Sequence, residues 1–264
     1  MMRSLYLKTL YDKRWFCLGW FIGFGFLAFL MSIFYPAMNQ EGALDALVTQ
    51  MPPALQGMVG DLANLREFST YLASQLFDIR VGILGGVMVI ILGLGLTVAE
   101  EEKGELRTLA ALPISRSRIV LHKFLAMISI IAITLLGMIP GIMLGQFLID
   151  ETLPLDVLAR LLAMNWLLLL ALGSIVFATG LATGKRSLTM TISIIVVAGG
   201  FILSTFSQAV EWLQPFEVIS LLHYFPSVEI AKTSIAISDS FVLAAVTLVA
   251  YAIAVVFLRI RDIR

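Results

Sequence analysis

The sequence predicts an all-α integral membrane protein with six transmembrane helices. Of its 264 residues, 59% are hydrophobic and 14% are charged, whereas soluble domains carry about 25% charged residues. A helix needs roughly 20 apolar residues to cross the hydrocarbon core of a bilayer. Six such stretches occur without any Asp, Glu, Lys, Arg or His: 15–35, 81–98, 124–149, 161–183, 188–206 and 241–258. A transmembrane barrel would instead show short alternating segments. We expect residues 1–264 to form one membrane domain.

The distribution of basic residues predicts the orientation. With six spans, the segments 1–14, 99–123, 184–187 and 259–264 share one side of the membrane. They contain 14 of the 18 Lys and Arg residues but only 6 of the 18 acidic residues. Because Lys and Arg concentrate in cytoplasmic loops, both termini are expected in the cytoplasm.

The first 14 residues predict a short amphipathic helix on the inner membrane surface. Met2, Tyr6 and Leu10 fall on one helical face, and such a helix lies in the membrane interface. A solvated tail is the alternative. The single cysteine, Cys17, excludes an internal disulfide and supplies no metal set.

Residues 36–80 form the longest predicted outer loop. Apolar residues recur at helical spacing over 44–51 and again over 55–62, on either side of Pro52 and Pro53. This pattern predicts two short amphipathic extracytoplasmic helices. They either bind substrate or cover the bundle, and we favour covering.

Span three carries small residues every four positions, at Gly137, Gly141 and Gly145. Small residues let helices approach closely in lipid, so this stripe predicts helix packing. Pro140 should kink the span. The outer segment 207–240 is apolar, and we expect irregular backbone there that dips part-way into the outer leaflet.

Motifs for catalysis are incomplete. The sequence from Gly180 to Arg186 imitates a nucleotide-binding loop, but it has three residues between its glycines and an arginine where Ser or Thr should bind Mg²⁺. The two histidines, His122 and His223, fall on opposite sides of the predicted membrane. No catalytic or metal-binding residue is therefore assigned. The formal net charge of +0 gives no signal for nucleic acid.

The predicted spans contain no ionisable residue, although ion-coupled transporters commonly carry such groups at mid-membrane. If the protein moves a compound uphill, the energy should come from a separate ATPase. The charged segment 99–123 is the natural place to receive it. Its glutamates at 100, 101, 102 and 105 should begin a helix, since acids suit a helix N-terminus, and Pro113 should end it. Arg116, Arg118 and Lys123 should lie at the level of the inner headgroups. An ordinary amphipathic elbow held by lipid is the alternative reading.

The same segment resembles the signature between spans two and three in the permeases of type-2 ABC exporters. In that family, two acidic residues, a glycine and two leucines come first. They are followed by Pro, then by Val or Ile, then by Ser and Arg, and further on by a Lys. One departure is Glu105, where the family often has Thr. The six spans, the apolar outer segment and the closing residues 257–263 are also similar. A looser similarity links the chain to bacterial permeases for antibiotic or polyketide export.

The resemblance implies a non-catalytic translocation subunit in a bacterial or archaeal cell membrane, exporting a hydrophobic or amphipathic compound. It implies two cytoplasmic ABC ATPase subunits and a second copy of this permease or a related one. ATP and Mg²⁺ would bind to the ATPase, and this chain would hold no cofactor. The coupling helix that docks on the ATPase would be formed by Glu101, Glu102, Gly104, Glu105, Leu106, Leu109, Leu112 and Pro113, followed by Arg116. The alternatives are a membrane assembly or sensor component that recruits a cytoplasmic partner, and an ATP-independent facilitator for lipids or small molecules.

Overall fold

The structure is a helical bundle. The computed structural model describes residues 4–38, 66–105, 115–207 and 210–261. Helices make up 89% of these residues and no strand lies among them, which confirms the all-α prediction. Within these ranges, six helices are long and apolar enough to cross a membrane, and we call them spans one to six: Arg14–Met38, Phe68–Glu102, Arg116–Ile149, Leu155–Thr183, Arg186–Ser207 and Ile237–Ile260. Span four is the most buried.

The N-terminal helix is Leu5–Asp12. The hydroxyl of Ser4 caps it by accepting a hydrogen bond from the backbone N–H of Leu7 at 3.2 Å. Tyr6, on the predicted apolar face, forms a 2.8 Å hydrogen bond with Ser129 of span three. The predicted helix is therefore present within the described residues, and it packs against the bundle through that tyrosine.

Span two is longer than the sequence predicted. It begins with Phe68–Leu72, continues as a π-helix over Ala73–Arg80, and becomes α-helical again over Val81–Leu96. The expectation of an outer loop reaching residue 80 is wrong because Phe68 and Tyr71 are buried against Tyr35 of span one, with ring centroids 5.1 and 5.3 Å apart. The span consequently includes charged residues between 73 and 80, which the predicted bounds left outside. The predicted helices at 44–51 and 55–62 lie outside the described residues.

A buried amide connects span four to the π-helix. Asn165 is fully buried, and its Nδ2 donates to the carbonyl oxygen of Phe77 at 3.2 Å, while its Oδ1 has no hydrogen-bond partner among the described residues. Carbonyls of a π-helix are displaced from the regular α-helical pattern, so a side-chain donor stabilises this turn.

Replacing Asn165 should weaken the contact between span four and the π-helix of span two. We expect Asn165→Ala to lower the free energy of unfolding by about 1 kcal/mol, the scale of hydrogen bonds between membrane helices. Ser174→Ala is the control, because the Ser174 hydroxyl is equally buried but bonds only to Ala171 of its own helix. Denaturant titration in detergent measures both variants, and equal losses would contradict a special role for the amide.

Span three is broken at Gly137, between helices Arg116–Leu136 and Met138–Ile149. Pro140 lacks an N–H, and its ring clashes with the carbonyl four residues earlier. The break lies three residues before the proline, where the N–H of Gly137 bonds to the carbonyl of Thr134 at 3.2 Å in a tightened turn. The interruption of the α-helix near Pro140 thus falls at a residue without a side chain.

The segment between spans five and six is more regular than expected. It forms the 3₁₀-helices Glu211–Ile219 and Leu221–Tyr224 and the short α-helix Ser227–Lys232. Ser220 donates to the carbonyl of Gly200 in span five at 2.9 Å. The irregular backbone expected here is therefore wrong for most of the described residues, because short helices with internal backbone hydrogen bonds occupy 211–219, 221–224 and 227–232.

Candidate functional site: the charged cluster at one end of the bundle

A cluster of charged side chains lies where spans two, four and six end and spans three and five begin. We call this end of the bundle the termini face. Contacts between residues 100–102, 116–123, 181–186 and 258–261 define it. It contains three of the nine residues predicted as the ATPase-coupling site, Glu101, Glu102 and Arg116.

The last turn of span two is set apart from the rest of the helix. Thr97, with φ −124° and ψ −92°, interrupts the helix, and its hydroxyl donates to the carbonyl of Gly93 at 2.7 Å. A new turn, Val98–Glu102, follows it. Successive residues of a helix are rotated by about 100°, so the three glutamates of this turn reach three different neighbours.

Gly104 ends this turn with a positive φ of 74°. The left-handed conformation is the usual helix stop and favours glycine. A single helix running from Glu100 to Pro113, as the sequence predicted, is therefore interrupted at Gly104.

Glu100 pairs with Lys123 of span three. The Lys123 Nζ lies 2.5 Å from the Glu100 Oε2 and donates to the carbonyl of Leu96 at 2.9 Å. The lysine side chain is 1% exposed and the glutamate 17%. Lys123, expected at the level of the inner headgroups, is thus buried in the bundle, where the glutamate and the carbonyl next to the break at Thr97 give the ammonium its partners.

Glu101 pairs with Arg261, at the end of span six. The Arg261 Nη2 lies 2.5 Å from the Glu101 Oε1, and its Nη1 donates to the carbonyl of Leu181 in span four at 2.9 Å. Gly184, which has a φ of 58°, ends span four beside this guanidinium, and a Cβ atom there would overlap it. The guanidinium therefore joins the ends of three spans.

Glu102 and Arg116 complete the cluster. Glu102 lies 3.6 Å from Arg186 at the start of span five, but both side chains are largely exposed, so this pair contributes little to stability. Arg116 donates to the backbone carbonyls of Leu258 at 3.0 Å and Arg261 at 2.8 Å. The last carbonyls of a helix lack intrahelical partners, and a cation is favourable beside them.

The structure brings only some of the predicted coupling residues together. Glu101 and Arg116 both contact the end of span six, whereas the backbone N–H of Gly104 bonds to the carbonyl of Glu101 within its own turn at 2.9 Å. Leu106, Leu109, Leu112 and Pro113 lie outside the described residues. Sequence reasoning missed Arg261 as a partner, and no periodic signal marks it, since it lies 160 residues from Glu101.

The glycine stripe of span three lies against span one. A Cβ atom on Gly137 would overlap the carbonyl oxygen of Phe21, and one on Gly141 would overlap that of Gly25. At Gly145 the added atom would meet the side chain of Ser32. The two backbones thus approach closely along the stripe, as small residues permit in lipid.

Comparison with known proteins identifies the family. A search of curated proteins finds no match. The sequence profile of the family described as ABC-2 family transporter protein matches residues 14–262. The match covers all six spans and the residues of the termini face. A multi-pass membrane protein that matches this profile is a permease of the ABC-2 class. The chain belongs to the ABC-2 transporter family.

Proposed function

We propose that the chain is the transmembrane subunit of an ATP-driven ABC exporter and that the segment between spans two and three docks on a separate ATPase. Family membership supports a permease role. The observation that carries the proposal is that both flanks of this segment, at Glu101 and Arg116, are bound to the bundle at the termini face. A displacement of the segment by a partner would therefore reach the spans directly.

The proposal places the termini face in the cytoplasm, with both chain ends inside. The excess of Lys and Arg on this side supports that orientation. Two ATPase subunits, carrying ATP and Mg²⁺, would act on this permease and a second copy or related chain, in a bacterial or archaeal cell membrane. The apolar spans suit a hydrophobic or amphipathic cargo. Closure of the ATPase pair would bias a two-state movement of spans two and three.

Leu109→Asp tests the docking. Leu109 follows Leu106 at helical spacing in the segment, so we expect it to enter an apolar groove of the ATPase, where a carboxylate would be desolvated without a partner. The ATPase should no longer copurify with the tagged permease, and substrate-stimulated ATP hydrolysis should fall to the background. The thermal unfolding of the permease in detergent should be unchanged.

The matched control is Leu155→Asp, at the opposite end of the bundle, where the leucine is 73% exposed. This variant should keep the copurifying ATPase. Undiminished stimulation in Leu109→Asp would refute docking through this residue. A wild-type permease that purifies alone, with no stimulated ATPase in native membranes, would instead favour a sensor or an ATP-independent facilitator.

A further inference from the structure

One residue at the end of span six holds both flanks of the segment between spans two and three. The Arg261 guanidinium binds the Glu101 carboxylate at 2.5 Å, on the flank that leaves span two. The backbone carbonyl of the same residue accepts a hydrogen bond from Arg116 at 2.8 Å, on the flank that enters span three. The side chain and the main chain of Arg261 therefore bind opposite ends of one connection.

The Arg261 side chain is well placed to make a firm contact. It is 22% exposed, and the Glu101 side chain is 9% exposed. Charges shielded from water interact more strongly than charges on an open surface. The guanidinium also donates to the carbonyl of Leu181, at the end of span four, at 2.9 Å.

The surrounding backbone leaves room for this guanidinium. Span four ends at Gly184, which has a φ of 58°, and a Cβ atom at this position would occupy the space of the Arg261 side chain. Glycine thus serves two purposes here, since it adopts the left-handed conformation and it admits the guanidinium. The backbone conformation of Gly184 and its lack of a side chain therefore both bear on the position of the Arg261 guanidinium.

We infer that Arg261 is a positioning residue that locks the ends of spans two, three, four and six together at the termini face. This inference rests on the proposed function: when the ATPase displaces the segment between spans two and three, the displacement is transmitted to span six through this lock. Without the lock, the segment would move relative to span six, and its displacement would not be transmitted to that span. The ATPase would still bind, because Arg261 holds the flanks of the segment from inside the bundle.

The lock is tested first on the full-length permease without any ATPase. In a Cys17→Ser background, spin labels at Lys103→Cys and Ser115→Cys report the distance between the two flanks, since both positions are exposed. The distance distribution should be narrow in the wild-type background and should broaden in Arg261→Gln. Arg118→Gln is the matched control, because this nearby arginine is exposed and the described residues give it no ion pair. It should leave the distribution narrow.

Gly184→Ala provides a second perturbation that keeps every charge. Its methyl group should displace the Arg261 side chain and broaden the same distribution, which keeps the inference falsifiable if Arg261→Gln does not fold. An unchanged distribution in Arg261→Gln, or in Gly184→Ala if the first variant is unfolded, would overturn the lock.

The second measurement adds the ATPase. Arg261→Gln should retain the copurifying ATPase but lose about tenfold in substrate-stimulated hydrolysis, the loss that corresponds to about 1.4 kcal/mol of coupling free energy. A broadened distribution with full stimulation would overturn the role in transmission. Absence of stimulation in the wild type would overturn the proposed function and the transmission role, while the spin-label distances would still decide whether the lock exists.

Discussion

Lys123→Met is expected to lower the free energy of unfolding by about 3–5 kcal/mol, the range found when one partner of a buried ion pair is removed. Lys123 is 1% exposed, and it is the ion-pair partner of Glu100, 2.5 Å away. Methionine fills a similar volume, so the loss would arise from the carboxylate left without its cation. Denaturant titration in detergent, followed by circular dichroism, measures the change.

The double variant Glu100→Met/Lys123→Met separates the charge from the packing. Replacing a whole buried pair with apolar residues is often neutral or stabilising, so this variant should recover most of the loss. Recovery should be incomplete, because the carbonyl of Leu96 loses the ammonium as a donor. Arg186→Met, which breaks the exposed 3.6 Å pair with Glu102, should change stability by less than about 1 kcal/mol. Purely additive losses in the double variant would contradict the ion-pair argument.

Hydropathy predicted the number and the order of the spans, because an apolar stretch of membrane-spanning length is a local property of the chain. Hydropathy missed the start of span two because it reports only the local composition of the chain. The π-helix over Ala73–Arg80 contains polar and charged residues, and the turn that precedes it, Phe68–Leu72, is held by contacts with Tyr35 of span one. Such contacts depend on tertiary packing, so no window of sequence reports them.

The candidate site was likewise predicted only in part from the sequence. The sequence identified the charged segment after span two and named Glu101, Glu102 and Arg116, because charge between apolar stretches is conspicuous. It predicted neither the burial of Lys123 beside Glu100 nor a partner in this chain for Glu101. The partner, Arg261, belongs to the other end of the chain, and only the alternation of six helices brings the two together. Pairings of this kind follow from topology and not from spacing.

Gly141→Leu is expected to destabilise the bundle by about 3 kcal/mol, at the upper end of the usual cost of overpacking a core. A Cβ atom at this position would overlap the carbonyl oxygen of Gly25 and lie 3.1 Å from the Cβ of Ala28. Backbone atoms of span one cannot rotate away as a flexible side chain would. Spans one and three would have to separate, and the close contacts at Gly137 and Gly145 would weaken with them.

The chain offers a control for this substitution in the same motif. Gly19 and Gly23 of span one have the same four-residue spacing, but a Cβ atom at either position would meet no atom of the described residues within 4 Å. Gly23→Leu should therefore change the free energy of unfolding by no more than about 0.5 kcal/mol, as for a surface substitution. Unfolding in detergent measures both variants. Equal losses would mean that leucine acts through the helix itself, whereas a loss confined to Gly141→Leu would show that the stability of the bundle depends on the close approach of spans one and three.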